Sequence, residues 1–112
     1  VDDEPANIDL LKGLLPADFK VLAALKGQVA IKLVTKKTPD LIFLDLLMPE
    51  PSGFETLEQI RNLNTGAQIP VVVVSGNKSE QDIKKGQALS VVAHLQKPIK
   101  SEQIQAIVED YL

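Results

Sequence analysis

Four sets of polar residues stand close behind apolar runs in this sequence. Asp2 and Asp3 follow Val1, Asp45 ends the run 41–44, Ser75 ends the valines 71–74, and Lys97 comes just after the run 91–95. Their types suit one chemistry if the fold brings them together. Crowded carboxylates repel and hold their protons more tightly unless a cation joins them. A hard divalent cation such as Mg2+ takes oxygen ligands and keeps several waters, so two or three carboxylates suit it. A lysine opposite them supplies a mobile positive charge for a phosphoryl oxygen, and a serine hydroxyl can hydrogen-bond another. An aspartate in that company can attack phosphorus directly and form an aspartyl phosphate. Metal and lysine neutralise charge on the transferred group, which is most of the catalysis such reactions require.

Each residue taken alone has an ordinary explanation. Asp45 would serve as a turn residue ending a strand. Asp2, Asp3 and Glu4 would complement the dipole of the helix that follows. Lys97 would be a solvated charge before a turn. The case for a site therefore rests on the elements that position them.

The run Leu41, Ile42, Phe43, Leu44 reads as a strand buried on both faces, as in a parallel sheet covered by helices. Val71 to Val74 form a second, β-branched and continuous. Residues 91–95 (Val, Val, Ala, His, Leu) make a third and 19–23 a fourth, and Val1 reads as the last residue of a first strand. Helical spacing alternates with these runs. Pro5 suits a first helical turn, and Ile8, Leu11, Leu14 and Leu15 share a face before Pro16 stops it. Gly27 breaks the chain before Val29, Ala30, Leu33 and Val34, a helix ending in Lys36-Lys37, where cations are favoured. Phe54, Leu57 and Ile60 follow the loop 49–53, and Asn62 to Gly66 close that helix. Ser79 with Asp82 resembles a capping box for a helix from about 79 to 87. Ile83 is the clearest apolar member there, and Gly86 costs roughly 1 kcal/mol of propensity, so this helix is expected to be the least firmly held. Ser101 would cap a last helix lined by Ile104, Ile107, Val108 and Tyr111.

Four strands alternating with five helices, plus Val1 as the stump of another, predict a doubly wound α/β domain with a parallel sheet and helices on both faces. A parallel sheet collects the carboxyl ends of its strands on one edge, so Asp2, Asp3, Asp45, Ser75 and Lys97 should converge there. That convergence is what weakens the separate explanations together.

Bulk properties set bounds on this reading. At 112 residues the chain is one domain (1–112) with room for a core. A net charge of −3 gives no attraction to nucleic acid or anionic membranes. Cysteine is absent, which excludes disulfides and thiolate metal sites and fits a reducing cytoplasm. No apolar run reaches membrane-spanning length and no signal peptide is visible. The sequence opens without Met, and a central first strand reduced to Val1 would lose hydrogen bonds on both sides. A preceding segment is therefore expected.

The residues resemble a family along the whole length: the receiver domain of bacterial two-component response regulators. The resemblance lies in the acidic pair of Val1-Asp2-Asp3-Glu4, the stretch from Asp45 through Leu47, Met48 and Pro49 to Gly53, the hydroxyl in Val74-Ser75-Gly76, and Lys97-Pro98. It implies a flavodoxin-like five-stranded sheet of order 2-1-3-4-5 with five surrounding helices. By the same resemblance Asp45 is the phospho-acceptor, Asp3 a direct Mg2+ ligand and Asp2 an acid acting through a metal-bound water. Asp45 and the backbone carbonyl of Leu47 complete the protein's share of the metal shell. Lys97 pairs with the acyl phosphate, Ser75 moves to it, and Pro98 often follows a cis peptide bond. The implied function is a phosphorylation-dependent signalling switch and not an enzyme beyond its own phosphoryl transfer and slow self-dephosphorylation. Its phosphoryl source is a histidine kinase or phosphotransfer protein, and its output goes to an effector domain or downstream protein, with homodimerisation on phosphorylation a family expectation.

The sequence also departs from the family pattern. His94 stands where an aromatic residue usually rotates inward on activation; it is either the switch residue or a half-buried strand residue. As a group titrating near neutrality it would make signalling respond to pH. Ser90 replaces a common glycine before the last strand, an expected loop adjustment. Leu47 places an apolar side chain two residues after Asp45, where it is expected to hinder water and prolong the phosphorylated state. Two other function classes compete. An aspartate-nucleophile phosphatase like the haloacid dehalogenases would carry a second Asp at position 47. An interaction module of the same fold, never phosphorylated, is the main alternative.

Overall fold

The computed structural model describes residues 1–17, 19–46, 48, 52–64, 66–76 and 79–112. In chain order the elements are α1 (Pro5–Leu14), α2 (Gly27–Lys37), β1 (Ile42–Asp45), α3 (Gly53–Asn62), β2 (Val71–Ser75), α4 (Glu80–Ala88), β3 (Ala93–Gln96) and α5 (Ser101–Tyr111). The strands lie parallel in the order β1-β2-β3, with Leu44 beside Val73 and Val73 beside His94. All five residues of β2 are buried because it is flanked by strands at both edges and helices on both faces. Each of its four valines contributes roughly 1.5–3 kcal/mol of burial.

Alternation along the strands builds two cores. On one face Leu44, Val71 and Val73 pack with Val34 of α2 and with Leu57 and Ile60 of α3. On the other, Val72 and Val74 pack with Ile107 of α5, and Phe43, Leu95 and Ile99 join them. Helices on both faces of a parallel sheet make the fold doubly wound and flavodoxin-like.

Among the described residues three strands form where five were expected. The two missing ones are present in outline. The Val1 nitrogen donates to the Phe43 carbonyl at 2.6 Å, and Asp45 N–H donates to the Val1 carbonyl at 2.9 Å. On its other side, Asp2 N–H donates to the Ala24 carbonyl at 3.1 Å. Val1-Asp2 thus sits between β1 and the 19–24 segment, the place that the order 2-1-3-4-5 assigns to a first strand. Residues 19–23 carry no regular strand, since a ladder needs more than the bond that Asp2 makes with Ala24.

Smaller differences concern the ends. The last strand begins at Ala93 and not at position 91. Ser101 is the first residue of α5 and not its cap; Lys100 holds the cap position, and its N–H donates to Gln103 Oε1 at 3.1 Å. The Ser79 cap is as expected, its hydroxyl accepting from Asp82 N–H at 3.2 Å. Ser90 has φ of 61°, a left-handed backbone that explains why glycine suits the position. The only buried residue of α4 is Gly86, in keeping with a loosely held helix, and α1 buries none.

Gly86 has a packing reason that propensity does not show. A Cβ there would lie 2.9 Å from Val91 Cγ2, so the glycine lets α4 close down on the chain entering β3. Arg61 of α3 secures the same corner. Its guanidinium donates to the carbonyls of Leu89 (2.9 Å), Gly66 (2.9 Å), Ile69 (2.6 Å) and Ser90 (3.2 Å). One planar cation thereby satisfies carbonyls at the end of α4 that have no helical partner, and burial pushes its pKa below the usual arginine value.

Candidate functional site

The carboxyl edge of the sheet gathers the residues that the sequence singled out. Asp45 closes β1 and is buried, because its neighbours are Val1 on one side and Val74 on the other. Asp2 is buried too; its Oδ1 accepts from Glu4 N–H at 2.9 Å, turning the chain into α1. Asp3 is exposed beside them. Oxygens of Asp2, Asp3 and Asp45 all lie within 4.8 Å of one another. This is a hard-oxygen donor set of the kind that suits Mg2+.

Lys97 reaches into the same cluster from the other end of the chain. Its ammonium is 3.2 Å from Asp2 Oδ2 and 3.5 Å from Asp45 Oδ1. Burial disfavours its charge, but the hydrogen bond to Asp2 and the charges of Asp45 and Asp2 outweigh that and hold its pKa above the ordinary lysine value. Its backbone is fixed as well: Lys97 N–H donates to the Ser75 carbonyl at 2.8 Å, one step beyond the β2–β3 ladder. The peptide bond between Lys97 and Pro98 is cis.

Ser75 ends β2 and is buried at this edge. His94 lies two residues before the end of β3, half-buried, in one cross-strand row with Leu44 and Val73. Leu47, proposed for the metal shell and for control of dephosphorylation, lies outside the described residues, as do Pro49, Glu50 and Pro51. The far side of that loop is fixed. Ser52 and Glu55 form a reciprocal capping box at the start of α3, and Gly53 N–H donates to the Leu46 carbonyl at 3.2 Å. A Cβ on Gly53 would lie 2.3 Å from the Asp45 carbonyl oxygen and 2.5 Å from Leu46 Cα. Only glycine lets α3 begin so close behind the aspartate.

A cavity of about 330 Å³ adjoins Asp2, Asp45 and Lys97, walled by Val1, by Ile8 and Leu11 of α1, and by Phe43, Val74 and Ile99.

The family model for the response regulator receiver domain matches residues 1–109. The chain belongs to this family. A probable cyclic di-GMP phosphodiesterase of Vibrio cholerae is 32% identical to the receiver domain over 112 residues, covering 100% of the chain and 25% of that protein. The chain thus spans about a quarter of that relative's length. Among solved structures, the chemotaxis protein CheY4 of Vibrio cholerae superimposes with a TM-score of 0.91 at 24% identity, covering 99% of this chain and 93% of that one. The receiver domain of the sensor histidine kinase PA1611 from Pseudomonas aeruginosa, solved with a magnesium ion in its active-site cleft, gives 0.88 at 22% identity, covering 99% and 92%. Among the described residues of the receiver domain here, no helix is long and apolar enough to cross a membrane.

Proposed function

We propose that residues 1–112 act as one phosphorylation-controlled signalling switch in which Asp45 is the phospho-acceptor. The observation that carries this reading is the meeting of three carboxylates and one ammonium at the sheet edge: Asp2, Asp3 and Asp45 within 4.8 Å, with Lys97 touching two of them. An unprotonated Asp45 oxygen attacks phosphorus, and the bond from phosphorus to the donor's phosphohistidine nitrogen breaks. Lys97 then exchanges part of its contact with Asp45 for a phosphoryl oxygen, and Ser75 hydrogen-bonds another.

Asp2, Asp3, Asp45 and the carbonyl of Leu47 would hold Mg2+, whose charge offsets that of the incoming group. The magnesium in the Pseudomonas receiver domain is consistent with this donor set. Phosphorylation biases a two-state equilibrium that alters the face built from α4, β3 and α5, with His94 as the rotating residue. The partners are a cytoplasmic histidine kinase or phosphotransfer protein upstream and an effector domain or protein downstream, with homodimerisation as one output. The domain has no turnover beyond its own phosphorylation and slow dephosphorylation.

Intact-mass measurement after mixing the protein with Mg2+ and acetyl phosphate tests the reading. One phosphoryl group should be gained by the natural protein and none by Asp45→Asn. Equal labelling of both, or none of either, overturns it.

A further inference from the structure

α2 and α3 lie side by side on one face of the sheet, since Val34 of the first and Leu57 and Ile60 of the second pack into the same core. α2 leads into β1 and α3 into β2, and those strands are parallel, so the two helices run the same way. Each presents an outward stripe. Val29, Lys32 and Lys36 are exposed on α2, and Glu55, Glu58 and Asn62 are exposed on α3. Both sets have the spacing i, i+3, i+7 that puts side chains on one helical face. Both also occupy the third, sixth and tenth positions of their helix. The stripes are opposite in sign. Residues 19–39 hold five lysines and no acid. On α3 the Arg61 charge is turned inward onto four carbonyls and does not offset the glutamates. Among the described residues neither stripe takes part in an ion pair.

We propose that this face joins two copies of the chain: α2 of one packs on α3 of the other, and the reverse, about a two-fold axis along the groove between the helices. Such an axis carries each stripe onto the congruent stripe of opposite charge in the second copy. Lys32 then faces Glu58 of the second copy and Glu58 faces its Lys32, so the central pair is made twice. Val29, 41% exposed, adds an apolar contact in the same stripe. The surface is separate from the one built from α4, β3 and α5, and its charges do not depend on the state of Asp45, so the association precedes phosphorylation. Exposed ion pairs contribute little strength each and are screened by ions, so the dimer is weak and loosens as salt is added.

Sedimentation equilibrium of the protein with no phosphodonor present tests this. The natural protein should dimerise at low salt and shift toward monomer at about 0.5 M salt, where the screening length is only about 4 Å. Lys32→Glu and Glu58→Lys should each raise the dissociation constant about tenfold, because every reversal acts at two symmetric places. The two combined in one chain restore both pairs with their signs exchanged and should return the constant to within about threefold of the natural value. A protein still monomeric at about 0.5 mM in low salt overturns the proposal. So does a dimer indifferent to both reversals, or one that the double exchange fails to restore, since another surface then joins the copies. A dimer that forms only after Mg2+ and acetyl phosphate are added also overturns it, while leaving Asp45 as the acceptor.

Discussion

Lys97 Nζ and Asp2 Oδ2 stand 95 positions apart in the chain and 3.2 Å apart in space. The ammonium leans on Asp45 at the same time, so it is the cation that makes a cluster of acids tolerable without a metal. Lys97→Met should therefore leave the carboxylates repelling one another and cost about 1–2 kcal/mol, between the usual exposed and buried pairs. The variant should regain more stability from Mg2+ than the natural protein does, since an ion that binds only the folded state stabilises it by mass action. Urea midpoints with and without Mg2+ measure both; identical metal responses would refute the account.

The same pair sets an alkaline limit. The folded-state pKa of Lys97 lies above its unfolded value, so its contribution is fully present below the ordinary lysine pKa of about 10.4. It is lost as pH rises through the higher folded-state value. Metal-free stability curves of the natural protein and Lys97→Met should converge above that range and remain parallel below it.

Gly53→Ala should destabilise by about 3 kcal/mol or more, because the new Cβ meets backbone atoms of Asp45 and Leu46 that cannot turn aside. Phosphorylation of the variant by acetyl phosphate should be impaired even under conditions where circular dichroism shows it folded. Normal labelling would mean that the start of α3 does not position the aspartate.

Gly86→Ala tests whether α4 needs its glycine for packing. In an open helix this change gains about 1 kcal/mol, but here the methyl meets Val91. The single variant should be neutral or destabilised, and in a Val91→Ala background the usual gain should reappear. A double-mutant cycle with no coupling would disprove the contact.

Arg61→Lys should cost about 1–3 kcal/mol, since a single ammonium cannot span four carbonyls fixed by a planar fork. Hydrogen exchange should speed up at Leu89, Ser90 and Val91 before it does in β2. Uniform acceleration across the domain would assign the arginine a different role.

Periodicity made most of this fold readable, because apolar runs of four or five residues and spacings of three and four mark strands and helices locally. The meeting of Asp2, Asp45 and Lys97 was readable one step later, from the rule that parallel strands end on one edge. Two things were not. Residues 19–23 carry a strand's composition, yet a strand is a property of its partner, and the pairing seen beside them is the bond of Asp2 to Ala24. Arg61 reads as a surface residue between Ile60 and Asn62; its carbonyl acceptors come from a turn and from the far end of another helix, which no local pattern foretells.

The Arg61 staple has a mechanical consequence. At its C-terminal end α4 is tied down twice, by the guanidinium on Leu89 and Ser90 and by Val91 packed on Gly86, while its opposite end follows Ser75 after a short connection. Its other side chains are not buried to the same degree. When this helix shifts, it must swing like a door whose hinge is at Arg61, so the widest travel falls at Glu80, the end that follows the buried Ser75.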